Sequence, residues 1–167
     1  MDELDQIILH HLQTDGRKPF TEIANSAHVS EGTVRNRVSK LIEEGALRIV
    51  GVANPFRLGY KTPAVIGVRV EPGHLEEAAR IIASFQEVSS LVMTSGSFDL
   101  LLEVFCRDTE HLAQFLNTHL HHVAGVRQTE TFFILRTYKL SHRWGTSCQA
   151  GPAQAAQHKK LDPPLLA

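Results

Sequence analysis

Thr33, Asn36 and Lys40, flanked by Arg35 and Arg37, are spaced so that a single helix presents them together. On such a helix Val34, Val38, Leu41 and Ile42 make an apolar stripe, and Gly32, Thr33, Asn36 and Lys40 occupy the opposite face. These residue types can read DNA. Arginine bonds guanine bidentately, asparagine does the same with adenine, threonine touches thymine methyls, and lysine suits a phosphate. Ser30 is a good N-cap and Glu31 suits the positive end of the helix dipole. The candidate DNA-binding residues are therefore Ser30, Thr33, Arg35, Asn36, Arg37 and Lys40, with double-stranded DNA as the partner. The bland alternative is the solvated face of an ordinary three-helix bundle, which the wheel alone leaves open.

A second constellation is Ser95-Gly96-Ser97-Phe98-Asp99, which places two hydroxyls, a bare glycine backbone and one carboxylate in a turn. Its plain reading is a hairpin turn in which Gly96 takes a positive φ and Asp99 bonds nearby backbone. Other chemistry is not indicated. His119, His121 and His122, with His111 two turns earlier, lack the acidic or cysteine partner that would complete a metal site, so a solvated helix face is expected and no metal or cofactor. No nucleophile and base pair, phosphate-binding glycine loop or metal triad marks a catalytic residue. Cys106 and Cys148 are far apart and read as reduced thiols.

The elements that must position these residues follow from periodicity. Leu4, Ile7, Ile8 and Leu12 mark a first helix closed by Asp15-Gly16. A second runs from about Phe20 to Ala27, entered through Pro19 or Thr21, and the third runs from Ser30 to Glu44-Gly45. The second and third make a helix-turn-helix whose third helix would lie in the major groove. Residues 49–63 begin as a short strand and then break at Pro and Gly, as a linker does. The period then becomes two: a strand over Ala64–Val70, a helix over about His74–Phe85, a strand near Val88–Thr94, a strand Phe98–Phe105, a helix over Thr109–His122, and a strand from Val126 to about Tyr138. The order βαββαβ is the split βαβ, or ferredoxin-like, plan, one antiparallel sheet with both helices on one face. Its other face, apolar and uncovered, calls for a second copy.

The fold class expected is α+β, with a winged-type helix-turn-helix domain at 1–50, a linker with a short strand at 51–63, a ferredoxin-like domain at 64–140 and a flexible tail at 141–167. Composition fits a globular protein: 167 residues, 43% hydrophobic. With no apolar run near the ~20 residues of a membrane span and an acidic start at Met1-Asp2-Glu3, a cytoplasmic location is expected and no membrane partner. The net charge of -1, and six Lys/Arg against eight Asp/Glu in residues 1–50, argue against a general polyanion binder. DNA binding must rest on a local patch.

From Leu4 to Lys139 the chain resembles the Lrp/AsnC (feast/famine) regulators. The matching pieces, in order, are Leu4-Asp5-Gln6-Ile7-Ile8, Asp15-Gly16-Arg17, Ile23-Ala24, Val29 through Val38, Leu41-Ile42-Glu43-Glu44-Gly45, Gly59-Tyr60, Ser95 through Asp99, Gly125-Val126-Arg127 and Thr129-Glu130-Thr131. Ser95 stands where the family's Thr-Gly-x-x-Asp signature has threonine, and the hydroxyl is kept. The resemblance implies a transcription regulator with a C-terminal effector-binding (RAM) domain that dimerises sheet to sheet, as a homodimer or, assembled further, a tetramer or octamer. It implies an amino acid or related small-molecule effector at Ser95, Gly96, Ser97, Phe98 and Asp99, with Asp99 on the effector ammonium and with Thr129 and Thr131 facing the same cleft. The alternatives are a metabolite-binding oligomer without significant DNA binding, or an enzyme resembling the siroheme decarboxylases. That branch carries His-Asn-Tyr on the strand before the hairpin turn, whereas this chain has Leu91-Val92-Met93-Thr94, so an enzyme is not expected.

Overall fold

Asp2 and Asp5 open the first helix by capping each other in the computed structural model, which describes residues 1–139. The Asp5 N–H donates to Asp2 Oδ1 at 3.0 Å and the Asp2 N–H to Asp5 Oδ2 at 2.9 Å, so two of the helix's orphan donors are met at once. Helix α1 spans Glu3–Thr14. Helix α2, Phe20–Ala27, follows Pro19, whose missing N–H is no loss at a helix start, and stops at His28 with φ 55°. Glycine is the usual residue in that left-handed conformation. Helix α3, Glu31–Glu43, is capped by Ser30 Oγ, which accepts the Thr33 N–H at 3.1 Å.

An eight-residue helix such as α2 has little stability alone. What holds it is a shared core of Ile8, Leu9, Leu12, Ile23, Ala24, Val34, Val38 and Leu41, in which each buried leucine, isoleucine or valine contributes about 1.5–3 kcal/mol. The chain separates into the units Met1–Val52 and Ala53–Thr137. The strand expected from Ile49 is not formed. Ile49, Val50 and Val52 are 45%, 60% and 66% exposed, and with no strand beside them among the described residues their backbone has no ladder to join there. Only a 3-10 turn, Phe56–Leu58, precedes the second unit's sheet.

That unit has strands β1 (Thr62–Val70), β2 (Val88–Met93), β3 (Leu100–Cys106) and β4 (Val126–Phe133) in the order β2-β3-β1-β4, all neighbours antiparallel. This is the ferredoxin-like order. Ala64, Ile66 and Val68 of β1 and Leu100, Leu102 and Val104 of β3 pack against Ala78 and Ile82 of α4 (Leu75–Ile82) and against Leu112, Phe115 and Leu120. Three expected boundaries are corrected. Helix α5 (Thr109–Gln114) does not run unbroken to His122: a wider π turn spans Phe115–His119 and a 3-10 turn Leu120–His122. Phe115 and Leu120, five residues apart, are both buried, and α-helical spacing would point them about 140° apart. The wide turn brings both inward. Strand β4 ends at Phe133, not near Tyr138, because Phe133 pairs with Ala64 and the partner strand begins two residues further on, at Thr62. Strand β3 begins at Leu100, so the hairpin turn takes in Thr94 to Asp99.

On the face away from the helices lie Val65 and Gly67 of β1, Leu101 and Phe105 of β3, Val92 of β2 and Phe132 of β4. Gly67 is bare for a reason: a Cβ there would stand 2.6 Å from the Phe98 ring. Phe98 meets Phe132 edge-on at 6.2 Å, and the Arg69 guanidinium lies 5.8 Å from the Phe98 ring centre. Val92 and Phe132 remain about half exposed.

Candidate functional site

Helix α3 buries Val34, Val38 and Leu41 and leaves Gly32, Thr33, Arg35, Asn36 and Lys40 in solvent. Thr33, Asn36 and Lys40 fall three and four residues apart, so they share one exposed strip. Ser30 belongs to the start of the helix; its Oγ also meets Thr33 Oγ1 at 2.9 Å and sets that side chain's rotamer. Arg35 Nη2 reaches Glu31 Oε1 at 2.5 Å and its guanidinium lies 5.7 Å from the Phe20 ring centre, while Lys40 Nζ lies 3.7 Å from Glu44 Oε1. Both pairs are largely exposed, so each is worth no more than about 1 kcal/mol and can give way to a stronger anion.

Arg37 is placed differently. Its Nη1 lies 2.7 Å from Asp2 Oδ2 and 3.2 Å from Asp5 Oδ1, so it ties α3 to the start of α1. The Asp5 N–H, and then Arg37, hold the Asp2 carboxyl below its ordinary value, and Asp2 in turn raises Arg37 further. Asp5 itself is buried. Sequence reading grouped Arg37 with the exposed residues because the wheel shows only one helix. The cue to its other allegiance was present in the Asp2/Asp5 capping pair. A tie between α1 and α2 went unnoticed as well: His11 Nε2 meets Ser26 Oγ at 2.8 Å, and that hydroxyl donates to the Ile23 carbonyl.

In the turn, Asp99 is a structural hub. Its N–H donates to the Val68 carbonyl at 3.0 Å, its Oδ2 accepts the Val70 N–H at 2.8 Å, and its carbonyl accepts the Thr94 N–H at 2.9 Å. Thr94 Oγ1 donates to the Phe98 carbonyl. Ser95, Gly96 and Ser97 are exposed above this frame, and Phe98 is folded over Gly67. Gly96 does not take the positive φ expected of it, and a Cβ there would meet nothing within 4 Å. Thr129 and Thr131 do not gather beside the turn. They pair with Val68 and Ile66 on the far side of β1 from β3, two strand spacings or about 10 Å away. Both sit on the helix-covered face, where Thr129 Oγ1 meets His121 Nε2 at 2.9 Å.

His119, His111 and the described cysteine each have a local setting that accounts for them. His119 packs on Phe85 and Phe115, and His111 Nε2 lies 3.1 Å from Glu87 Oε1. Burial, then Glu87 and Asp108, push the Cys106 thiol up to about 11, so it is not a thiolate at neutral pH. Cys148 and the expected tail lie outside the described residues.

Residues 1–42 match the AsnC-type helix-turn-helix domain family and residues 63–144 the Lrp/AsnC ligand binding domain family. An uncharacterised HTH-type transcriptional regulator of Pyrococcus furiosus is 38% identical over 87% of this chain and 96% of its own length. An HTH-type transcriptional regulator of Methanocaldococcus jannaschii is 33% identical over 83% and 95%. Among solved structures, AsnC of E. coli superposes with a TM-score of 0.78 at 26% identity, over 84% of this chain and 95% of that one. A Neisseria meningitidis transcriptional regulator solved with L-Met superposes at 0.82 with 23% identity, over 88% and 97%, a likeness of fold.

Proposed function

This chain belongs to the Lrp/AsnC family of helix-turn-helix transcriptional regulators, and from that premise we propose how it reads DNA and what tunes it. Thr33, Arg35, Asn36 and Lys40 contact the major groove and its phosphates. Ser30 and Arg37 serve that surface indirectly, one by starting α3 and the other by fixing it to α1. The observation that carries this reading is the division of α3, with Val34, Val38 and Leu41 sealed in the core while Thr33, Asn36 and Lys40 stand in solvent on one strip. Two such helices, one from each copy in a homodimer, address successive half-sites of a pseudo-palindrome. The half-exposed apolar sheet face around Val92, Phe98 and Phe132 supports pairing of copies, as a dimer or a larger assembly such as a tetramer or octamer. The protein acts in the cytoplasm, and no helix among the described residues is long and apolar enough to cross a membrane.

An amino acid or related small metabolite binds at the turn Ser95 to Asp99 and shifts DNA affinity by preferring one assembly or helix spacing, which requires different affinity for the two states. The exposed Ser95, Gly96 and Ser97 backbone and hydroxyls support this, as does the ligand seen in the neisserial relative. Asp99 acts there with one oxygen already committed to Val70. Thr129 and Thr131, on the other flank of β1 and on its helix-covered face, are given no contact with this ligand. No catalytic role is assigned.

The test is a fluorescence-anisotropy titration of the full chain on DNA from its own promoter, at stated salt, with and without an amino-acid pool. Specific binding, altered by the pool and lost when Thr33, Arg35 and Asn36 are replaced by alanine, is the expected result. Binding untouched by those substitutions overturns the α3 assignment. A second reading, a metabolite-binding oligomer without DNA, is favoured by the acidic partners of Arg35, Arg37 and Lys40; absence of binding at low salt would select it.

A further inference from the structure

At the other end of the β2–β3 hairpin from the turn, Tyr60, Gln86, Glu87, Phe105, Arg107 and His111 line a hollow of about 250 Å³. The paired strands run from Val88 opposite Val104 to Met93 opposite Leu100, which separates the two ends by about 16–20 Å. We propose that this hollow binds a free α-amino acid with an apolar side chain, at a site distinct from the Ser95–Asp99 turn.

The hydrogen bonding around His111 carries the argument. A backbone N–H can only donate, so the Arg107 N–H at 3.2 Å from His111 Nδ1 requires a lone pair there. The ring proton therefore sits on Nε2 and is given to Glu87 Oε1, 3.1 Å away. Glu87 is thus aimed and half-buried by a neutral partner, and its negative charge is left without a cation bonded to it. Among the described residues the Arg107 guanidinium likewise makes no ion pair. Glu87 and Arg107 both line one hollow and neither is spent on the other, so the carboxylate and the guanidinium they carry match the ammonium and carboxylate of a zwitterion. The Phe105 and Tyr60 rings supply an apolar wall for its side chain. The volume falls below the roughly 300–1,000 Å³ of pockets for drug-sized ligands, which limits the guest to a small metabolite. The site does not depend on the turn holding any ligand.

The test is calorimetric titration of the full chain with L-leucine, L-methionine and L-phenylalanine, and with 4-methylpentanoate and 3-methylbutylamine, which each keep only one of leucine's charges. At least one amino acid binds, and Arg107→Ala and Glu87→Gln each weaken it by about tenfold or more, as loss of one charge-assisted bond does. Arg107→Ala removes an exposed side chain and keeps the backbone donor, so it folds. Asp99→Asn leaves this binding in place, and the two single-charge analogues bind about tenfold more weakly or worse. Absence of binding by all three amino acids, or binding indifferent to both Arg107→Ala and Glu87→Gln, overturns the proposal. Binding lost in Asp99→Asn but kept in Arg107→Ala overturns it too, while leaving an effector at the turn intact.

Discussion

Arg37 of α3 reaches Asp5 of α1 across 32 residues of sequence, Nη1 to Oδ1 at 3.2 Å. The same Nη1 meets Asp2, and Asp2 and Asp5 cap the helix they start. One guanidinium therefore fixes the angle between the helix proposed to enter the groove and the helix behind it. Arg37→Ala leaves the buried Asp5 without its cation. We expect a lower urea midpoint with an unchanged m-value, and weaker binding to every DNA sequence by a common factor. Asn36→Ala should instead leave the unfolding free energy within about 0.5 kcal/mol of the unaltered chain's and relax specificity at one base pair. Chemical unfolding beside anisotropy on operator and mismatched DNA separates the two.

Asp99 offers a contrast between shape and charge. Its Oδ2 accepts the Val70 N–H. Asparagine keeps an acceptor there and alanine does not. Asp99→Ala should cost about 1–3 kcal/mol, the penalty of an unmet buried donor, and Asp99→Asn less than about 1 kcal/mol. If Asp99 also holds an effector ammonium, the response of DNA binding to the amino-acid pool disappears in both, including the stable asparagine variant. A response retained in Asp99→Asn would confine Asp99 to building the turn.

Gly67→Ala tests the Phe98 contact. The new methyl would stand 2.6 Å from the ring, so Phe98 must leave Phe132 and Arg69 or the sheet must shift. Overpacking of this kind costs about 1–3 kcal/mol. Because Phe98 lies on the open sheet face, the variant should also weaken self-association, read as a lower mass by sedimentation equilibrium. Unchanged mass would remove Phe98 from the interface.

His11 sets a pH dependence. Burial first, then Lys18 and His10, hold its pKa below the ordinary 6.5. The unfolded chain therefore takes up the proton first. The contribution of His11 is fully present above 6.5 and is lost as pH falls through the lower folded value. Protonation leaves Nε2–H to Ser26 in place, since that nitrogen already donates. His11→Gln should flatten the fall in urea midpoint from pH 7 toward pH 5, measured as a difference from the unaltered chain. Identical slopes would assign that acid sensitivity to other groups.

Much of this protein could be read from local patterns. The apolar stripe Val34, Val38, Leu41 and the Ser30 cap gave α3 its boundaries, and alternation through Ala64–Val70 gave β1, because period and capping depend on near neighbours in sequence. The βαββαβ order followed from those periods, and the sheet order from that. Three features did not follow. The strand expected at Ile49 needed a partner that no sequence window reports. The length of β4 was decided by where β1 begins. The break in α5 came from Phe115 and Leu120 competing for the same core.

The residue types on the exposed strip of α3, and those in the turn, are facts of sequence, and they were enough to suggest DNA and a small ligand. What the side chains are spent on was decided by tertiary structure. Arg35 and Arg37 stand two apart in a helix, yet one lies in solvent beside Glu31 and Phe20 and the other is bound to Asp2 and Asp5. Thr129 looked like a companion of Asp99, and β1 lies between them. The pairing of His111 with Glu87 and the Arg107 backbone joins residues 24 and 4 positions apart. Hydrogen bonds and ion pairs act over about 3–4 Å in space, and only the packed fold determines which distant residues come that close.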